Sequence, residues 1–134
     1  SLLLTAAKNG FTDICYDLIK SGALIPTNIN ILQPLITKFN ISYLEKNIDI
    51  KQFDVLLNVC LLLIESESKI SLSSINILEK WQEQPLAELQ EKEHQKTKIK
   101  FDHVVALSKR IFFNGKISLV PDTADSNHYI QQRI

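Results

Sequence analysis

Two cysteines, three histidines and a short acidic stretch near the C-terminus are the side chains here with the means for covalent or metal chemistry. A thiolate nucleophile would need Cys15 or Cys60 to meet His94, His103 or His128 in space. Both cysteines lie inside apolar, helix-spaced runs, "ICYDLI" and "LNVCLLL". Burial there holds a proton on sulfur and suppresses the nucleophilic form. They are expected to be buried free thiols rather than a disulfide, in keeping with a reducing compartment such as cytosol. His94 and His103 stand too far apart to ligate one ion from a single helix face. The most metal-like cluster is Asp122, Asp125 and His128 in "DTADSNH", for which an ordinary polar loop is the competing reading. There is no glycine-rich phosphate loop, no His-Glu-x-x-His and no Cys-x-x-Cys. No active-site constellation results, and no cofactor is expected.

Weaker signals attach to charge. Lys96, Lys98 and Lys100 alternate in "KTKIK" and could meet phosphate, but acidic neighbours and a single nearby aromatic, Phe101, favour a solvated helix face. The run "ESESKISLSS" offers Ser and Glu residues that suggest phosphosites, though it also reads as a polar turn before a helix cap. Fifteen basic and 15 acidic residues cancel, so nothing in the overall charge draws the chain to nucleic acid or an anionic membrane. The apolar run Val55 to Ile64 is too short to span a bilayer and holds Asn58, so no membrane insertion is expected.

The elements that would position these residues are helices. With 134 residues, 45% of them hydrophobic and 22% charged, the chain can bury a real core. Three glycines and four prolines are too few for an all-β fold of many tight turns. An all-α fold is therefore expected. Ser1 can cap a helix running from Leu2 to Asn9, which Gly10 ends. Thr12 is placed to cap a second helix, with Asp13 in its first turn and Gly22 at its end. Ile14, Cys15, Leu18 and Ile19 make one apolar face of it, and Ala6 with Ala7 allow a close helix approach.

These residues resemble an ankyrin repeat, with its pattern T-P-L-H-x-A-A-x-x-G-H-x-x-I-V-x-x-L-L-x-x-G-A. Ala6 and Ala7 match its two alanines, Gly10 its inter-helix glycine, and Ile14 with Cys15 its apolar pair. Leu18 and Ile19 match the leucines, and Gly22 with Ala23 the closing pair. Leu2 and Leu4 replace the proline and first histidine, and Phe11 the second histidine, so apolar contact stands where polar contacts between repeats usually occur. A second unit is expected to start near "QPL", with Pro34 in the first turn of a helix over Gln33 to Phe39. There the match decays: Lys38 and Phe39 replace the alanines, and the glycine is missing.

Residues 1–66 accordingly read as an ankyrin-like region, clear over 1–26 and degenerate over 27–66, and 67–134 as a helical, non-repeat capping segment. A strong helix is expected over Asp49 to Ile64. Ser73 or Ser74 should cap the next, containing Ile75, Leu78 and Trp81, with Pro85 kinking or restarting it. Asp102 should cap a last helix, "HVVALSKRIFF", ended by Asn114–Gly115. The tail from Lys116 holds one strand-like apolar piece followed by a polar loop.

The resemblance implies a protein-binding scaffold whose partner is another protein, a host protein among the candidates; from the balanced charge, no nucleic-acid partner is expected. The matching exposed positions are Lys8 and Asn9 at the end of the first helix, then Leu24 and Ile25 in the projecting loop, where burial under the next unit competes. The alternative is an accessory C-terminal region of a multidomain enzyme, an effector-type transferase, protease or ubiquitin-ligase component, with its catalytic domain upstream. The start at Ser1, without any methionine, reads as a piece of something larger. Abundant Ile, Lys and Asn resemble proteins from AT-rich genomes, including intracellular bacteria that export ankyrin-repeat effectors. The expected location is cytoplasm, or a host cell's cytoplasm after export.

Overall fold

A computed structural model describes residues 1–26, 28–66 and 70–117, the last three as backbone only. The described residues form six α-helices and two 3-10 turns, without a strand. The helices are α1 (Leu2–Lys8), α2 (Thr12–Lys20), α3 (Leu32–Leu44), α4 (Ile50–Glu65), α5 (Leu72–Glu83) and α6 (Gln95–Ile117). The 3-10 turns, Ala87–Gln90 and Lys92–His94, lie between α5 and α6. The fold is all-α.

The helices stack in two rows. One row runs α1 on α3 on α5, the other α2 on α4 on α6, and α1 with α2 and α5 with α6 join the rows at either end. The small side chains of Ala6 and Ala7, both buried, let α1 lie close to its neighbours.

Three helices end in the same way. After α1, the Phe11 N–H bonds the Ala6 carbonyl and the Gly10 N–H that of Ala7; after α2, Ala23 and Gly22 do the same to Leu18 and Ile19. After α3, Asn47 bonds Ser42 and Lys46 bonds Tyr43. This 6→1 and 5→2 pairing needs a left-handed residue just past the helix. Gly10 (φ +74°), Gly22 (φ +92°) and Lys46 (φ +57°) supply it. After α3 a lysine thus takes up the conformation that glycine supplies after α1 and α2.

The structure moves several expected boundaries. Phe11, with no capping side chain, precedes α2; Thr12 is its first residue, its hydroxyl donating to the Gly10 carbonyl at 3.4 Å. For α3, the Asn30 side chain accepts from the Gln33 N–H at 3.0 Å, and the helix runs to Leu44 rather than Phe39. Asp49 and Gln52 form a reciprocal capping box on α4 at 2.9 and 3.0 Å. Ser71, not Ser73 or Ser74, caps α5; Ser74 is wholly buried inside it. Pro85 ends α5 outright. Asp102 caps nothing: α6 is already under way, because Phe101, Val104, Val105 and Ser108 form one buried stripe that carries the helix past it. Gly115 is likewise traversed, a cost of about 1 kcal/mol that a long helix absorbs. The strand-like piece expected from Lys116 begins inside this helix, and the rest of the tail lies outside the described residues.

An aromatic cluster ties the last four helices together. Phe53 packs edge-on against Phe101 (centroids 5.1 Å apart) and Trp81 (6.0 Å), and Tyr43 stacks on Trp81 at 4.9 Å. The Trp81 indole N–H donates to Asn40 Oδ1 at 2.8 Å, which meets the requirement that a buried N–H find an acceptor. Two polar ties hold α6 from outside. Lys100 and Thr97 both reach Asp54 Oδ1 on α4, at 2.9 and 3.0 Å, and Lys109 reaches Glu79 on α5 at 2.8 Å.

Candidate functional site

Where the pairs meet, one edge of the stack is open. The turn between α1 and α2 stands off α3 and the start of α4, leaving a groove of about 580 Å³. Phe11 and Ile14 line one wall, Lys38 and Ile41 of α3 the other, and Ile48 and Gln52 the α4 end. A second groove of about 430 Å³ runs between Lys8 and the outer face of α3, bordered by Asn30, Gln33, Pro34 and Thr37. The two lie side by side, with Lys38 and Ile41 bordering both. A third, about 440 Å³, joins the first at Ile48 and continues past Lys46 to Pro85 and Leu86. Together the three grooves form a trough-like edge that borders all three helix pairs.

Large apolar side chains stand open in it. Phe11, Ile14 and Ile41 are 52%, 47% and 51% exposed. Ile14 was expected on the buried face of α2; instead Cys15 beside it is buried, and Ile14 turns into the groove. Lys38 sits at the junction of the first two grooves, and a Cβ at Gly10 would lie 2.7 Å from its Cγ. Its alkyl stem therefore crosses the bare glycine backbone, with the ammonium beyond.

Of the residues expected to bind, Lys8 and Asn9 both line this trough, one in each of the first two grooves. Leu24 and Ile25 do not. Leu24 is 91% exposed on the loop after α2, whereas Ile25 is half-buried and packs against the core. Phe11, Ile14, Lys38 and Ile41 carried no binding expectation in the sequence. The one signal was Phe11, an aromatic where the repeat pattern wants histidine.

The groups with covalent or metal potential lie elsewhere. Cys15 and Cys60 are free and fully buried, and desolvation pushes their thiols up to about 11 and about 12. Deprotonation is thus suppressed at neutral pH, which fits packing and not nucleophilic attack. His94 Nε2 lies 3.6 Å from Glu91 and 3.7 Å from Glu93 on the second 3-10 turn and its flank. The Glu91 carboxyl is raised, first by a hydrogen bond with Glu93. This trio is mostly exposed, with ligand atoms within 4.8 Å of one another. Asp122, Asp125 and His128 lie outside the described residues. Of the lysines once weighed for phosphate, Lys100 is committed to Asp54. No helix among the described residues is long and apolar enough to cross a membrane.

Comparison with known family models, curated proteins and solved structures finds no match to this chain.

Proposed function

We propose that this chain is a protein-binding module of ankyrin type, and that the trough from Lys8 to Leu86 receives a segment of another protein. The observation that carries the reading is the grouping of Phe11, Ile14 and Ile41, all about half exposed, in one concave surface crossing successive helix pairs. Apolar groups in a groove rimmed by polar ones gain free energy when a partner removes them from water, at roughly 25 cal/mol per Å². The resemblance of residues 1–23 to an ankyrin repeat supports it, since Lys8 and Asn9, two of the four positions it singles out, border these grooves. The chain's work on this reading is recognition, with any catalysis left to other polypeptide.

The test is photo-crosslinking from position 41 in cell lysate, then reconstitution of the captured protein with the purified chain. Ile41→Asp should weaken the reconstituted complex at least about tenfold, as for an apolar anchor near an interface centre. Leu72→Asp, at an exposed residue of α5 outside the grooves, should leave it unchanged. Equal loss in both variants, or no reconstituted complex, defeats the proposal.

A further inference from the structure

We infer that the segment docking in the trough is acidic, with carboxylates meeting Lys8 and Lys38 and an apolar side chain seated over Ile41. This rests on the docking reading above and names the partner's chemistry. The groove between α1 and α3 carries two ammonium groups and no carboxylate on its walls; the rest is amide, hydroxyl, proline and isoleucine. Among the described residues neither Lys8 nor Lys38 makes an ion pair, whereas Lys100 and Lys109 are each held by a carboxylate under 3 Å away. Two uncompensated cations beside an exposed apolar side chain make a surface that a hydrophobic segment alone would leave unbalanced. Lys38, its stem laid across Gly10, stands where the two grooves join. The preference is local, because Asp13 lines the far wall of the next groove. Nucleic acid fits less well: the floor between the lysines is aliphatic, Pro34 and Ile41, and presents no ring on which a base could stack.

The probes are two pools of short synthetic peptides with the same leucine and phenylalanine anchors. One pool has aspartate and glutamate at the remaining positions, the other lysine and arginine. Fluorescence anisotropy at low salt should show the acidic pool binding about tenfold more tightly, with the margin shrinking at high salt as exposed ion pairs are screened. Lys8→Glu with Lys38→Glu should invert the preference. A misfolded chain cannot produce such a gain, and both side chains are exposed in the native fold. Lys51→Glu with Lys80→Glu, at exposed lysines that line none of the three grooves, should preserve the original order. Equal binding of both pools, lost with Ile41→Asp, overturns the acidic preference and leaves the docking reading standing. Binding of neither pool also overturns it, while the crosslinking experiment decides the docking reading separately. Tighter binding of single-stranded DNA than of the acidic pool, or self-association that excludes both pools, overturns it too.

Discussion

Tyr43 shows how much one side chain settles. In α5 the Trp81 carbonyl should accept from the residue four positions on, but that residue is Pro85, which has no N–H. The Tyr43 hydroxyl, from the neighbouring helix, donates to the Gln84 carbonyl at 2.7 Å at this break and lies 3.4 Å from the Trp81 carbonyl. Tyr43→Phe should therefore cost about 0.5–1.5 kcal/mol in urea unfolding, the range for losing one hydrogen bond whose acceptor can still reach water. Burial also moves the phenol from its ordinary 10.0 to about 12. The folded chain holds this proton more tightly than the unfolded one, so the contribution is complete below pH 10 and is lost as pH rises toward 12. Comparing the native chain with Tyr43→Phe across that window should remove this part of the alkaline decline, while the two buried thiols contribute theirs in both. None of this was legible beforehand. Pro85 announced a break, but the tyrosine that repairs it stands on another helix, and no local pattern links the two.

At the scale of the element, local chemistry was legible where one residue had one competent role. Gly10 and Gly22 were marked as helix ends and take positive φ, and the polar and apolar pattern around Asp49 gave α4 nearly whole. Legibility failed where several residues could do the same work. Ser71, Ser73 and Ser74 are all able to cap, and burial of Ser74 in the core decided among them. Asp102 has the chemistry of a cap, yet the stripe through Phe101, Val104 and Val105 spans it, and continuing a helix costs less than nucleating a new one. Lys46 escaped notice because lysine carries no left-handed signal. A side chain in that conformation costs about 1–2 kcal/mol, partly offset by glycine's greater freedom when unfolded, about 0.5–1 kcal/mol. Lys46→Gly should thus raise stability by about 0.5–1 kcal/mol, read as a higher urea midpoint at constant slope.

For the whole molecule, burial is uneven along the stack. Leu3, Ala6 and Ala7 on α1 and Cys15 on α2 are buried, against seven buried residues on α4 alone. The aromatic cluster holds α3 to α6, and the first pair reaches it only through α3 and α4. Native-state hydrogen exchange should show α1 and α2 opening at a lower free energy than α4 to α6, as expected when each layer touches only its neighbours. Uniform protection across all six helices would contradict this. All-α class was legible from composition and periodicity alone. The trough was not, since its walls come from a turn, a helix face and a capping region distant in sequence, and stacking alone brings them together. The single tryptophan has a practical consequence. Trp81 is 1% exposed, stacked on a tyrosine and hydrogen-bonded, so its emission should be blue and should report loss of the core without any added label. The grooves come within one ring of it, since Phe39 on the first and Tyr43 on the third both pack against Trp81. The chain carries a built-in gauge of its own integrity, separated from a docked partner by a single layer of aromatic rings.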